Sequence, residues 1–143
     1  MKPTPEGWPR ITAAVFYRDP HAAIDWLIRV FGFELRMKAE GPDGTLFHSE
    51  LTFGDGLIMV GQVGLSGELP SGTPAEHDGV ITQAQAIFVD DVDAHCERAR
   101  AEGATIGMEP RTDDYGEAYW CDRTYRAIDL EGHHWWFMQR LRR

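Results

Sequence analysis

The stretch "VFYRDPHAAIDWLIRVFGFEL", residues 15–35, decides the fold, because a short strand, a turn and a helix follow one another within it. From about residue 21 to residue 31, apolar side chains recur at helical spacing. Asp19 is placed to cap the start of this helix, and Gly32 is placed to end it. The stretch therefore predicts a strand and an amphipathic helix, with a second strand opening after Gly32.

The same pattern returns 72 positions later, in "IFVDDVDAHCERARAEG", residues 87–103. Asp90 or Asp91 is the expected N-cap of a helix from about residue 92 to residue 102, and Gly103 is expected to stop it. Repetition at a fixed period indicates a duplicated structural unit.

The two halves also close in the same way. The phrases "LTFGDGLIMVG" (residues 51–61) and "AIDLEGHHWWFM" (residues 127–138) both read as a strand, a turn with glycine and a strand. Each half thus predicts the order βαβββ, and the fold class is α+β. A lone module would bury only one face of its sheet, so the two are expected to form one domain. The expected limits are 8–143 for the domain, about 10–63 and 83–140 for the modules, and 64–82 for the linker.

Charge and composition set limits on partners and compartment. The 143 residues carry a formal net charge of −9, which argues against nucleic acid or an anionic membrane as partner and favours a neutral or cationic ligand. No apolar run reaches the length of a membrane span, and the N-terminus lacks the pattern of a signal peptide. Cys96 and Cys121 form no CxxC pair, so a cytoplasmic location with reduced thiols is expected.

Together, the phrases "FYRDPHAAIDWLIRVFGFE", "HSELTFGDGLIMVG", "FVDDVDAHCERARAEGA" and "YRAIDLEGHHWWF" resemble the vicinal-oxygen-chelate superfamily. That group includes glyoxalase I, extradiol dioxygenases, fosfomycin-resistance enzymes and bleomycin-resistance proteins. The resemblance covers about residues 10–140 and is greatest to PhnB-like and glyoxalase-like members. It implies the glyoxalase/bleomycin-resistance/dioxygenase fold, in which two βαβββ modules form curved mixed sheets around a cleft. It does not fix one activity, because one fold serves many functions.

The resemblance also implies where a metal ion would bind. Metal-using relatives place one ligand on the first strand and one on the last strand of each module. The matching positions here are Thr12, Val60, Ala84 and Trp136. None of these side chains is a usual metal ligand, and a shift of register by one adds only Gln83 or Gln85. No metal ion or other cofactor is therefore expected.

The histidine pair in "GHHWWF", residues 132–137, is the most metal-like feature of the chain. Neighbours on a strand point to opposite faces, so His133 and His134 are not expected to chelate one ion. His134 is expected on the cleft face with Trp136, as a hydrogen-bonding group or general base. The alternative is a histidine bonded to the nearby backbone.

A second histidine lies two residues from a carboxylate, in "FHSEL". His48 and Glu50 share one strand face, and with His134 they would supply the donor set of a different metal site. The other expectation is that both are exposed on the outer face.

Without a metal ion, aromatic and aliphatic walls must recognise the ligand. Alternation along the strands, counted from the positions that the resemblance implies, predicts a wall made of Thr12, Phe16, Val60, Phe88, His134 and Trp136. An insertion of four residues is expected in the second half, within residues 111–127. It adds Tyr115, Tyr119 and Trp120 beside carboxylates such as Glu117, a setting that suits a flat or cationic ligand. The alternatives are a packed core for the wall residues, and a solvated loop or dimer contact for the insertion.

Two classes of function follow from this pattern. The first is a metal-free protein of the bleomycin-resistance type, which binds a hydrophobic or aromatic small molecule and, as in such relatives, forms a homodimer. The second is a lyase, isomerase or dioxygenase with a non-standard metal site, in which His134 acts with Glu50 or Glu117. An interaction module of a larger system is a third reading.

Overall fold

The computed structural model describes residues 1–65 and 67–143. They divide into two compact units, Met1–Thr73 and Pro74–Arg143. Each unit consists of a four-stranded mixed sheet with one α-helix on one face, so the predicted α+β class and the βαβββ order are confirmed. The predicted linker, residues 64–82, contains the point of division and a single 3-10 turn at Pro74–Glu76, while Ser66 lies outside the described residues.

The first unit is built around strands paired in the order β1-β4-β3-β2. Only β1 and β4 run parallel, and the other neighbours are antiparallel. Its elements are β1 (Ala13–Tyr17), α1 (Pro20–Phe31), β2 (Glu34–Glu40), β3 (Leu46–Phe53) and β4 (Gly56–Gln62).

Helix α1 begins and ends where the sequence predicts. The carboxylate of Asp19 accepts a hydrogen bond of 3.0 Å from the backbone N–H of Ala22, which satisfies one of the free N–H groups of the first turn. Gly32 has a left-handed conformation, with φ of 87°, and its N–H donates to the carbonyl of Ile28. The buried stripe of the helix contains Ala23, Ile24, Leu27, Val30 and Phe31, which pack on the sheet.

The second unit repeats this arrangement with strand order β5-β8-β7-β6. Here β5 and β8 run parallel, and the other pairs are antiparallel. Its elements are β5 (Gln85–Phe88), α2 (Val92–Ala101), β6 (Thr105–Asp114), β7 (Cys121–Ile128) and β8 (His134–Arg142).

Helix α2 is capped by Asp91, whose carboxylate accepts from the N–H of Ala94 at 2.9 Å. Its His95 Nδ1 lies 2.7 Å from the hydroxyl of Tyr125, and the His95 ring packs against Phe137 at a centroid distance of 4.2 Å. Tyr125 and Phe137 are fully buried, so this cluster marks the face of the second sheet that α2 covers.

Most of the extra residues of the second half lengthen the strands of the β6–β7 hairpin, and few of them lie in its loop. Strand β6 has 10 residues, whereas its counterpart β2 has 7. Only residues 115–120 remain as the loop between β6 and β7. The hairpin therefore carries the aromatic segment to the end of the second sheet.

Candidate functional site

The face of the second sheet opposite α2 presents aromatic side chains, and we call it the aromatic face. Along β8, Trp135 and Phe137 are fully buried on the α2 side. Because side chains alternate along a strand, His134, Trp136 and Met138 lie on the aromatic face. The sequence predicts the same face for His134 and Trp136.

Strand β5 adds Phe88 to the aromatic face. The parallel register pairs Ala86 with Trp136 and Phe88 with Met138, so these four side chains point to the same side. The side chain of Phe88 is 56 % exposed, which is high for a large apolar residue. Phe88 and Trp136 are thus neighbours on an open surface, as the predicted wall requires.

An arginine connects Phe88 to the hairpin loop. The guanidinium of Arg140 lies 5.5 Å from the ring centroid of Phe88 and 5.3 Å from that of Trp120, distances typical of cation–π contact. The same guanidinium forms an ion pair with the buried carboxylate of Asp122, and this hydrogen bond raises the pKa of Arg140. Arg140 therefore contacts both rings, and Asp122 fixes the position of its guanidinium.

The three aromatic residues of the loop form one cluster. Tyr115 and Tyr119 pack against Trp120 at centroid distances of 5.8 and 6.0 Å, and Tyr119 meets it edge-on. The backbone N–H of Tyr115 donates to the carbonyl of Trp120, which closes the loop. All three side chains are exposed. The sequence predicts these residues together, and the structure brings them together.

The carboxylates near this cluster are already paired with arginines. Asp113 accepts from Arg111 at 3.0 Å, and Asp114 accepts from Arg142 at 2.6 Å. Glu117 is exposed at the tip of the hairpin. The negative charge that the sequence offers to a cationic ligand is thus largely balanced within the chain.

Two further groups on the aromatic face are Arg126 and His134. Arg126 pairs with Trp136 across β7 and β8, and its guanidinium lies 5.5 Å from the Trp136 ring. The neighbouring pair is Ile128 with His134. Arg126 Nε and His134 Nδ1 are shielded from solvent and have no hydrogen-bond partner among the described residues.

The pKa of His134 lies below its usual value of 6.5, mainly because of burial and secondly because of the charge of Arg126. The unfolded chain then binds a proton near pH 6.5 that the folded chain does not bind, so the free energy of unfolding falls as pH falls below about 6.5. We expect His134→Gln to lose less stability than wild type between about pH 7 and pH 5 in urea denaturation. Equal slopes for wild type and His134→Gln would contradict this role of His134.

In the first unit, one residue of the predicted ligand-binding wall lies on the other face of the sheet. Val60 pairs with Val15 and is 1 % exposed on the α1 side of the sheet, so its predicted place on one face with Phe16 is wrong. Phe16 pairs instead with Gly61, where an added Cβ would lie 3.0 Å from the Phe16 ring. Met59, not Val60, therefore lies on the Phe16 face, and Thr12 lies half-buried just before β1.

Glu50 is buried by two partners on the face away from α1. Its carboxylate lies 2.9 Å from His48 Nε2 and 3.2 Å from Arg36 Nε. Such pairing offsets the free-energy cost of burying a charge. The alternative that Glu50 is exposed on the outer face is therefore wrong. The pair His48 and Glu50 thus behaves as a structural ion cluster of the first unit.

The structure does not bring Glu117 to His134. Glu117 precedes β7, whereas His134 pairs with the last residue of that strand, Ile128. Eight residues of extended chain place them roughly 25 Å apart. An acid–base pair of these two groups does not form on this sheet.

The metal positions implied by the family pattern do not fit a metal ion. Val60 faces α1, and its neighbour Met59 takes the open position. The remaining positions carry Thr12, Ala84 and Trp136. Within residues 1–65 and 67–143, no group of three or more His, Cys, Asp or Glu side chains is arranged to hold an ion. The side chains at these four positions are not usual metal ligands.

Two successive βαβββ units are the architecture that the family resemblance implies. The family model described as "Glyoxalase/Bleomycin resistance protein/Dioxygenase superfamily" matches residues 10–137. The chain belongs to this superfamily, whose proteins commonly bind small molecules.

Individual relatives agree with the family match. The crystal structure of TioX from Micromonospora sp. ML1 is 32 % identical, with a TM-score of 0.71, and covers 94 % of this chain and 100 % of that one. A superfamily enzyme from Burkholderia phytofirmans PsJN is 20 % identical, with a TM-score of 0.64, over 91 % of this chain and 97 % of its own. The uncharacterized protein Mb0911c of Mycobacterium bovis is 29 % identical over 94 % of this chain and 85 % of its own length.

Among the described residues, neither helix has the length and apolar character needed to span a membrane.

Proposed function

We propose that this protein is a small-molecule binding protein of the bleomycin-resistance type, which holds a flat hydrophobic ligand on the aromatic face without a metal ion. The observation that carries the proposal is the exposure of Phe88 and Trp120, 56 % and 41 %, around an arginine already fixed by Asp122. A domain of this size gains stability by burying such rings, so their exposure favours a ligand contact. A homodimer in the cytoplasm is part of the same proposal.

The paired carboxylates of the hairpin change the expected charge of the ligand. Asp113, Asp114 and Asp122 each contact an arginine, so little free negative charge remains to attract a cation. The face itself carries the guanidinium groups of Arg126 and Arg140. We therefore favour a neutral or anionic aromatic ligand over the cationic one suggested by composition.

The test uses naphthamide, a neutral bicyclic probe, with affinity measured by isothermal titration calorimetry. We expect measurable binding that a chelator leaves unchanged, and Trp136→Ala should weaken it about tenfold, the equivalent of about 1.4 kcal/mol of lost ring contact. Trp26→Ala, a half-buried tryptophan on α1, is the matched control and should bind as wild type does. Equal affinity in the Trp136→Ala protein would remove this face from the site.

The competing function is an enzyme with a non-standard metal site. It is favoured by one observation, the shielded and unpaired Nδ1 of His134 beside the aromatic face. A neutral imidazole in that position is suited to accept a proton from a bound substrate. Turnover that disappears with a chelator, or in the His134→Gln protein, would establish this function instead of simple binding.

A further inference from the structure

The guanidinium of Arg126 has no acidic partner among the described residues. Arg123, three residues before it on β7, forms a two-bond contact with Asp93 of α2, and Arg140 pairs with Asp122. Within the described residues, the hydrogen bond of Arg126 goes from Nη2 to the carbonyl of Gly107 at 3.0 Å, and no carboxylate reaches it. In a chain of net charge −9, an unpaired and half-buried arginine is an exception.

Arg126 is also held in a defined position. The Gly107 carbonyl and the Trp136 ring contact the guanidinium from two sides. A Cβ at Gly107 would lie 3.2 Å from Arg126 Nε and Nη2, so the glycine allows the side chain to lie close across β6. A fixed guanidinium loses little conformational entropy when it binds, which makes it a good anchor for a ligand.

The groups around Arg126 match one kind of ligand. Its remaining N–H groups form a planar fork that fits the two oxygens of a carboxylate. His134, two residues from Trp136 on the same face, has a shielded Nδ1 that finds no hydrogen-bond partner among the described residues. Trp136 supplies flat apolar surface beside Arg126, and Phe88 extends that surface on the next strand, β5.

We propose that the ligand is an aromatic carboxylate, whose ring contacts Trp136 and Phe88 and whose carboxylate binds Arg126. This inference rests on the proposed function, because it specifies the ligand of the same face. A carboxylate would satisfy the positive charge that the fold leaves open, and a charge-assisted hydrogen bond is worth about tenfold or more in affinity. In an acidic protein, the guanidinium of Arg126 would attract an anionic ligand to the aromatic face.

The experiment compares three probes with the same ring system, naphthoate, naphthamide and naphthyl trimethylammonium, by calorimetry on the wild-type protein. We expect naphthoate to bind about tenfold more tightly than naphthamide, and the cation to bind most weakly. Added salt should reduce the preference for naphthoate. Arg126→Gln should bring the affinities for naphthoate and naphthamide together, whereas Arg123→Gln, whose charge is already paired with Asp93, should keep them apart.

The outcomes separate the two proposals. Equal binding of naphthoate and naphthamide to wild type, or tighter binding of the cation, overturns the carboxylate inference and leaves the binding function standing. A preference that survives in a folded Arg126→Gln protein overturns it as well. If none of the three probes binds at millimolar concentration, the proposed function is itself overturned. The wild-type comparison needs no variant, so it decides even if Arg126→Gln does not fold.

Discussion

Replacing Trp135 by alanine is expected to destabilise the protein by about 3–5 kcal/mol. The Trp135 ring is fully buried between the second sheet and α2, so its removal leaves a cavity. It also leaves Asp129 Oδ2 without its 3.0 Å hydrogen bond from the indole N–H. That carboxylate orders the turn before β8, since its other oxygen accepts from the N–H groups of Glu131 and His133.

The next residue supplies the matched control. Trp136→Ala removes the same side chain from the opposite, open face of the strand, and should cost about 1 kcal/mol. Urea denaturation of both variants gives the two free energies of unfolding. Equal losses would show that β8 does not present one buried and one open tryptophan, and would remove the basis for the aromatic face.

This pair also shows what strand alternation can predict. The sequence places Trp136 on one face with His134, and therefore Trp135 on the other face, because alternation depends only on the residues of β8 itself. The caps at Asp19, Gly32 and Asp91 were equally predictable, because each depends on the backbone within one helical turn. Strand alternation and capping preferences were sufficient to predict features that depend on residues close together in the sequence.

The sheet face on which Val60 lies could not be predicted from alternation alone. Gly56 is the first residue of β4, at the end of a tight two-residue turn, whereas Gly132 lies in a longer turn before β8 begins. The family pattern places Val60 four residues after Gly56 and Trp136 four residues after Gly132, and these two positions lie on opposite faces of their sheets. The pairing with the first strand gives the true equivalence, Met59 with Trp136. A difference of one residue in a turn moves every side chain of a strand to the other face.

The arginines of the aromatic face were missed for a different reason. Arg126 and Arg140 lie at alternate positions on strands whose other face is buried, which is the ordinary place for a solvated charge. Their contacts with Trp136 and Phe88 join residues from different strands. A single sequence contains no signal for such contacts. A charged residue directly between buried ones, such as Arg126 between Tyr125 and Ala127, is the nearest available indication.

The second large effect is expected at Ser49, whose hydroxyl takes the place of backbone hydrogen bonds between β3 and β4. The regular pairing of β3 with β4 runs from Phe53–Gly56 to Leu51–Ile58. Beyond it, Ser49 Oγ donates to the carbonyl of Val60 at 2.7 Å and accepts from the Val60 N–H at 3.1 Å. Both residues are buried beside α1, so water does not readily take over these bonds.

Ser49→Ala should therefore destabilise the first unit by about 2–4 kcal/mol, although it removes one oxygen atom, because it leaves two buried backbone groups unpaired. Ser71→Ala is the control. Its hydroxyl accepts one exposed bond from the Gly64 N–H, and its loss should cost no more than about 1 kcal/mol. Urea denaturation measures both, and hydrogen exchange at the Val60 amide should be faster in the Ser49→Ala protein. An unchanged exchange rate would mean that the Val60 N–H finds another acceptor, and the hydroxyl would then not be what joins β3 to β4 beyond Ile58.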